Sequence, residues 1–159
     1  MKLPNEITGD FNGQFESYDD LVYEAFRYDF VRTSPNFEGT SLKLKRHPLR
    51  NSREATYYHL TRKGPDEENR IPCYERMKKI RWARAIIDSC PNDDIKIWTK
   101  LTNRKTRILL FHETSRYLVV LDKRKDYILF WTAYPITTNN KVRRLLREYE
   151  LYCQNNQNS

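Results

Sequence analysis

Four short apolar segments in the second half of the chain, separated by tight polar turns, constrain the fold more than any other feature. They are 94–100 (DIKIWTK), 106–113 (TRILLFHE), 116–124 (RYLVVLDKR) and 127–134 (YILFWTAY). Turns as short as TS and RKD join antiparallel neighbours, so the segments predict a four-stranded antiparallel meander. The nearly continuous apolar runs ILLF, YLVVL and YILFW predict strands that are covered on at least part of both faces.

The first half of the chain carries one helical pattern followed by two alternating segments. Residues 17–31 (SYDDLVYEAFRYDFV) begin with a weak capping box and then place apolar side chains at helical spacing, which predicts an amphipathic helix ending before Pro35. Residues 41–47 (SLKLKRH) and 55–63 (ATYYHLTRK) alternate apolar and polar side chains. Because alternation is typical of strands, these segments predict a β-hairpin.

Two further apolar stripes predict helices. A helix expected from about Pro72 has a stripe with steps of three and four: Cys73, Met77, Ile80, Ala83, Ile87 and Cys90. A closing helix has its own apolar face: Val142, Leu145, Leu146, Tyr149 and Tyr152. The resulting order is α-β-β-α-β-β-β-β-α. It predicts an α+β fold in which helices pack against an antiparallel β-sheet made of the hairpin plus the four-stranded meander.

Charge is distributed unevenly along the 159 residues, whose net charge is +8. Residues 1–38 contain three Lys/Arg against eight Asp/Glu, whereas residues 39–159 contain 26 against 13. We expect an acidic N-terminal helical segment (1–38), a basic α+β domain (39–154) and a disordered tail (155–159). A basic body rich in aromatic side chains favours nucleic acid as the partner, although solubility alone explains many basic surfaces.

No metal site, cofactor or membrane segment is expected from this sequence. The cysteines are far apart, form no CxxC pair and fit the role of small buried hydrophobes: Cys73, Cys90 and Cys153. The three histidines are equally scattered, so no zinc pattern can be built. The chain has no run of about 18 apolar residues, and its N-terminus lacks the layout of a secretory signal. We therefore expect a cytoplasmic protein, although a toxin domain delivered by a carrier would look the same.

Six segments between about residues 52 and 150 form a further pattern: YYHLTR, IRWARAII, DIKIW, TRILLF, RYLVVLDKRKDYILFWTAYPI and REYE. Together they resemble the phage-type branch of the barnase, EndoU, colicin and RelE-like nuclease superfamily. Members of that superfamily are typically small metal-independent ribonucleases, often toxins. The resemblance therefore implies cleavage of RNA on a sheet face that carries His, Arg, Lys, Thr and Tyr side chains.

Cleavage of RNA without a metal needs a base for the 2′-hydroxyl, cations for the phosphoryl oxygens and an acid for the departing 5′-oxygen. His59 is the first candidate for proton transfer, because imidazole titrates near neutrality. In the predicted strand it shares a face with Tyr57, Thr61 and Lys63. The alternative is a structural histidine at a sheet surface. His112, at the end of a predicted strand, is the second choice.

Thr132 and Tyr134 stand where the last predicted strand leaves the sheet, just before Pro135. Because they are two residues apart in a strand, their side chains point to the same side. The resemblance implies that both line the cleft and contact the scissile phosphate. The alternative is that Tyr134 packs on the last helix and Thr132 only fills the sheet.

Phosphate binding requires cations, and the bidentate fork of arginine suits it well. We predict Arg107 as a catalytic residue that stabilises the transition state. The candidates for binding nucleic acid are Tyr57, Arg62, Lys63, Lys79 and Arg81. Three tryptophans could stack on bases, although core packing is the commoner role of this residue: Trp82, Trp98 and Trp131.

We therefore predict a metal-independent endoribonuclease, toxin-like or phage-associated, in which the 2′-hydroxyl attacks the phosphate. One alternative is a noncatalytic nucleic-acid-binding phage or regulatory protein, and another is a module whose basic face binds an acidic protein. The expected partners are RNA, with tRNA among the candidates, and an acidic immunity or antitoxin protein. The acidic leader is expected to lie over the basic cleft and to weaken access of RNA.

Overall fold

A computed structural model of the protein describes residues 1–9 and 13–157. Within these ranges it contains a central five-stranded sheet, two small two-stranded sheets and five α-helices. The predicted α+β class is therefore confirmed. No helix in the described ranges combines the length and the apolar character needed to cross a membrane.

Strands and helices are numbered here in chain order. The strands are β1 (Asn36–Phe37), β2 (Thr40–Ser41), β3 (Lys43–Leu44), β4 (Arg62–Lys63), β5 (Ile71–Pro72), β6 (Ile95–Thr102), β7 (Lys105–His112), β8 (Tyr117–Lys123) and β9 (Ile128–Pro135). The helices are α1 (Phe15–Arg27), α2 (Ala55–Thr61), α3 (Tyr74–Lys78), α4 (Trp82–Ser89) and α5 (Asn139–Gln157). A π-helical turn (Tyr28–Arg32) continues α1.

The predicted meander is confirmed, because β6, β7, β8 and β9 pair antiparallel in sequence order. The pairing between β8 and β9 contains one irregularity. Val120 lies opposite Thr132, but Leu121 lies opposite Phe130, which leaves Trp131 as an extra residue in β9. Such a β-bulge changes the direction in which a side chain points and is often found beside functional sites.

The sheet is mixed rather than purely antiparallel, because its fifth strand runs parallel to its neighbour. In β3, Lys43 lies beside Leu129 and Leu44 lies beside Phe130. The parallel pairing arises because β3 does not form the predicted hairpin with 55–63. The antiparallel part of the fold-class prediction is therefore wrong at this edge of the sheet.

The predicted hairpin is wrong because residues 55–61 form the helix α2. The buried side chains Tyr57, Leu60 and Thr61 follow the spacing of one helix face. Aromatic and β-branched residues favour strands locally, but packing against the core overrides this preference in so short a segment. His59 therefore lies on a helix and not on a sheet.

The other predicted helices are confirmed with two changes of extent. The helix expected from about Pro72 is two helices, α3 and α4, separated at residues 79–81. Its apolar stripe is nevertheless continuous and buried: Met77, Ile80, Ala83, Ile87 and Cys90. The closing helix α5 runs to Gln157. The predicted tail (155–159) thus begins within α5, and its residues 158 and 159 lie outside the described residues.

The two faces of the central sheet are covered differently. On the helical face, α1 to α4 enclose the larger core, where Phe30 stacks on Phe130 with ring centroids 4.6 Å apart. On the opposite face, α5 packs over Trp98 and Leu118 and forms a smaller core. This second face is called the groove face below, because its other end forms an open groove.

Candidate nucleic-acid interface

An open groove of about 620 Å³ lies at one end of the groove face. Its lining comes from β3, β7, β9 and the turn between β8 and β9: Lys43, Leu44, Lys45, Lys105, Arg124, Tyr127, Leu129 and Trp131. Four of these eight side chains are cationic and two are aromatic. No carboxylate is present among them, so the groove presents a concentrated positive charge to solvent.

Strand alternation explains why the lysines converge. Lys43 shares its side of the sheet with its partner Leu129, whereas Leu44, although it also borders the groove, packs against the larger core with Phe130. Lys45, two residues beyond Lys43, returns to the groove. The alternation in β3 and the residue that follows it therefore brings Lys43 and Lys45 to the wall of the groove.

Trp131, the extra residue of the bulge, is contacted by the side chains of Arg107, Lys45 and His59. The Arg107 guanidinium carbon lies 4.3 Å from the centroid of the indole ring, and Lys45 Nζ lies 5.6 Å from it. The His59 ring approaches from α2, with a centroid separation of 5.9 Å. Cations are attracted to the electron-rich face of an indole, so Trp131 holds Arg107 and Lys45 together at the groove despite their like charge.

A buried carboxylate lies under the same part of the groove. Asp122 is 0% exposed, and its Oδ2 accepts a hydrogen bond from Arg124 Nε at 2.6 Å. Arg107 Nη1 lies 3.5 Å from the same oxygen. The hydrogen bond from Arg124 and the charge of Asp122 raise the pKa of Arg124. Arg124 therefore remains charged.

The predicted catalytic histidine contacts Trp131 but does not line the groove itself, and it lines a separate small pocket with Glu67 and Arg70. His59 Nε2 is 3.2 Å from Glu67 Oε1. Burial lowers the pKa of His59 below its ordinary 6.5, and the nearby charges of Arg70 and Lys45 act in the same direction, while Glu67 opposes them. A neutral imidazole at pH 7 follows from this direction, and a neutral imidazole can accept a proton.

Tyr134 lies between two cations at the start of α5. Arg76 is stacked over its ring at 5.1 Å, and Lys141 Nζ lies 3.4 Å from its hydroxyl oxygen. Arg76 also donates to the backbone carbonyls of His59 (3.2 Å) and Arg62 (3.0 Å), so it links α2 to β9. Tyr134 thus packs on the last helix, which is one of the two roles that its sequence position allows.

Thr132 lies on the same face of β9 and is half-buried opposite Val120. It directly follows Trp131, so its hydroxyl is carried on the strand that forms the floor of the groove. Three of the four predicted catalytic residues therefore lie around Trp131. His59 and Arg107 contact its ring, and Thr132 is the next residue in the chain. Tyr134 is two residues further along β9.

Two of the predicted nucleic-acid-binding residues are instead engaged by the acidic helix. Arg62 is only 8% exposed and donates from Nη1 and Nη2 to the two carboxylate oxygens of Asp19, at 3.0 and 2.9 Å. Tyr57 is 0% exposed, and its hydroxyl also donates to Asp19. Arg53 Nη1 is 3.2 Å from the same carboxylate. This cluster uses its cations to attach α1 to α2, and it leaves Tyr57 and Arg62 without access to a ligand.

The remaining predicted binding residues lie outside the groove lining. Lys63 and Arg81 are exposed. Lys79 pairs with Glu75 at 3.3 Å and lies over the Trp82 ring at 5.1 Å. These three side chains therefore provide general positive charge but do not converge with His59 and Arg107.

In the part of the acidic leader that the structure describes, helix α1 and the turn that continues it pack on the face opposite the groove. Val22, Phe26 and Phe30 of the leader are buried in the core on the helical face, with Phe30 against Phe130. The groove is on the other face of the sheet, where Leu129 and Trp131 point. The apolar stripe of the leader therefore attaches it to the face opposite this groove, although Asp19 of the leader does bind Arg62 and Tyr57. That the leader weakens access of RNA stays a prediction.

Several groove residues were not among the candidates from the sequence: Lys43, Lys45, Lys105, Arg124 and Tyr127. The alternation in SLKLKRH is a usable signal for the two lysines of β3 once that segment is known to pair with β9. Lys105 and Arg124 lie at strand ends, where basic residues are common in any protein, so their convergence needs the strand register.

Comparison with other proteins adds no family. No family model, curated protein or solved structure matches the chain. Within the described ranges, no group of three or more His, Cys, Asp or Glu side chains could hold a metal ion. The inference of function therefore depends on the chemistry of the groove and of the side chains around Trp131.

Proposed function

We propose that this protein binds single-stranded RNA in the groove lined by Lys43, Lys45, Lys105 and Arg124. The observation that carries the proposal is the convergence of these four cations in one open groove without a lining carboxylate. Lysine and arginine contacts to phosphates release counterions, which is the dominant source of affinity for nucleic acids. A polyanion with regularly spaced phosphates fits a groove of this charge.

The aromatic side chains favour an unpaired strand over a duplex. Tyr127 is 42% exposed at the groove, so an unstacked base could lie on its ring. Bases in a duplex are already stacked on one another and cannot do so. The choice of RNA over DNA comes from the resemblance of the sequence to ribonucleases, and the experiment below tests it separately.

Fluorescence anisotropy with a labelled 12-nucleotide RNA, the matching DNA and the corresponding RNA duplex tests this proposal. We expect the single-stranded RNA to bind most tightly and its affinity to fall steeply with salt. Equal affinity for the single-stranded DNA would show that the groove binds any single-stranded nucleic acid and does not prefer RNA. Binding to an acidic protein with no affinity for the oligonucleotides would contradict the proposal and favour a protein-binding module.

Cleavage of the bound RNA is a second candidate function, and the position of His59 favours it. Its imidazole contacts Trp131, which lines the groove, and burial and the nearby charges of Arg70 and Lys45 lower its pKa. In such a reaction the imidazole takes the proton of a 2′-hydroxyl, and the 2′-oxygen bonds to the adjacent phosphorus. The bond from phosphorus to the 5′-oxygen breaks, the 5′-oxygen takes a proton from water, and a 2′,3′-cyclic phosphate remains. The imidazolium then returns its proton to the hydroxide, so the step balances.

Incubation of the purified protein with RNA in the presence of EDTA tests this candidate. We expect fragments with 2′,3′-cyclic phosphate ends from the unchanged protein and none from His59→Ala. His47→Ala is the matched control, since His47 lies exposed in a loop, and it should cleave normally. Tight RNA binding without cleavage by the unchanged protein would contradict the nuclease and leave the binding function in place.

A further inference from the structure

A negative charge lies buried beneath the groove, and RNA binding alone does not explain its presence there. Asp122 is fully buried, although it lies below a surface that is otherwise cationic. Its Oδ2 binds Arg124 Nε and approaches Arg107 Nη1, while no hydrogen-bond partner of its Oδ1 is found in the described ranges. Burying a carboxylate is costly unless it is paired, so this position requires the two arginines.

The contacts of Arg124 suggest what the carboxylate does. A guanidinium has five N–H donors in a planar fork, and Asp122 occupies the one at Nε. The nitrogens at the end of the fork are then free to face the groove, which Arg124 lines with a side chain that is 41% exposed. Arg107, near the same carboxylate oxygen, is also held over Trp131 at 4.3 Å.

We propose that Asp122 is a positioning residue for phosphate binding, which fixes Arg124 in the orientation that an RNA phosphate requires. This inference rests on the proposed function of the groove. A long exposed arginine loses rotamer freedom when it binds a ligand, and a side chain that is already oriented loses less. The buried carboxylate therefore strengthens the binding of an anion although it carries the same sign of charge.

The sign of the effect separates this role from simple electrostatics. If only net charge mattered, Asp122→Asn would strengthen RNA binding, because it removes a negative charge beside phosphates. Positioning predicts the opposite: affinity for single-stranded RNA falls about fivefold, within the range expected for a charge-assisted hydrogen bond. Asp126→Asn is the matched control, since Asp126 is exposed in the turn next to Arg124. It should leave the affinity unchanged or raise it slightly.

A double-mutant cycle distinguishes positioning from a general loss of structure. In an Arg124→Gln background, Asp122→Asn should cost no more than about twofold, because most of its effect acts through Arg124. Equal losses in both backgrounds would overturn the proposal. Thermal unfolding of each variant shows whether it is folded at the temperature of the binding assay.

Arg124→Lys provides a test that does not require substitution of a buried residue. It keeps the charge but lacks the fork that binds Asp122 and a phosphate together, so we expect a loss of affinity close to that of Arg124→Gln. Retained affinity in Arg124→Lys, or tighter binding by folded Asp122→Asn, would overturn the inference while the RNA-binding function stands. Absence of binding by the unchanged protein would overturn both.

Discussion

Two clusters in this protein have the same composition, one carboxylate between two arginines, but opposite relations to solvent. The Asp19 cluster joins Arg53 and Arg62 across α1 and α2. The Asp122 cluster joins Arg107 and Arg124 beneath the groove. The first encloses its cations, and the second leaves one of them at the surface.

The difference follows from what surrounds each carboxylate. Around Asp19, the hydroxyl of Tyr57 and a second carboxylate, Asp20, complete the pairing of the arginines. Around Asp122, the neighbouring groove side chains are themselves cationic. An arginine that is paired with nearby carboxylates therefore contributes to stability. An arginine surrounded by other cations is available to bind an anion.

The largest effect is expected from breaking the Asp19 cluster. Asp19→Ala leaves Arg62 charged, buried and without its partner, so the free energy of unfolding should fall by about 3 kcal/mol. RNA affinity at a temperature where the variant is folded should change less than twofold. Urea denaturation and anisotropy measure the two quantities. Asp20→Ala is the control, since its exposed carboxylate should contribute at most about 1 kcal/mol.

The same cluster predicts a pH dependence of stability. Burial alone would raise the pKa of Asp19, but the hydrogen bonds from Arg62 and Tyr57 together with the charges of Arg62 and Arg53 hold it below its ordinary 3.8. The stabilisation by Asp19 is thus complete above pH 3.8 and is lost as the pH falls through the lowered value. The difference in unfolding free energy between the unchanged protein and Asp19→Ala should therefore shrink below pH 3.8. A difference that is constant down to pH 2 would contradict a charged role for Asp19.

Neutralising two cations of the groove should have the next largest effect. Lys45→Gln together with Lys105→Gln should reduce RNA affinity more than tenfold and lower the slope of log affinity against log salt by about 1.4, as expected for two phosphate contacts with a single strand. Lys63→Gln together with Arg81→Gln removes the same charge outside the groove. Equal losses in the two double variants would show that binding depends on total charge and not on this groove.

A smaller effect is expected at the exposed aromatic ring. Tyr127→Ala should weaken binding of single-stranded RNA about tenfold, and Tyr127→Phe should retain most of the affinity, because stacking needs the ring and not the hydroxyl. The salt slope should remain unchanged in both variants. A loss of similar size in Tyr127→Phe would point to a hydrogen bond of the hydroxyl instead.

The smallest effect concerns the pH profile of cleavage. Because the pKa of His59 is lowered, the rate should rise with pH below 6.5 and be level near neutrality. Glu67 is the neighbour that raises this pKa, so Glu67→Gln should move the rise to lower pH and change the rate at pH 7 less than twofold. A shift to higher pH would contradict the assigned direction.

The parts of this fold that could be predicted have long or repeated patterns. The meander follows from alternating and apolar runs joined by short turns, and the first and last helices follow from their apolar stripes. The helix α2 could not be predicted, because seven residues with aromatic and β-branched side chains fit a strand equally well. The two-residue strand β3 is likewise too short to reveal its partner.

The positions of candidate-site residues were predictable where these residues lie on well-defined strands, whereas His59 contacts Trp131 from a helix that the sequence did not predict. Arg107 and Thr132 belong to the meander, and their positions near Trp131 follow from its register. The sequence does not reveal that Arg62 is buried in a structural cluster and that Arg124 lines the groove, because each position depends on which carboxylate pairs with the arginine. The partner of Arg62 is 43 residues away in the chain. The partner of Arg124 is two residues away.

Ultraviolet crosslinking of bound single-stranded RNA, followed by mass spectrometry of the peptides, most directly locates the binding surface. The account predicts adducts on Tyr127 or Trp131, the aromatic side chains that line the groove. Adducts confined to Tyr28 of the π-helical turn or to Tyr74 of α3, which are exposed elsewhere, would contradict it.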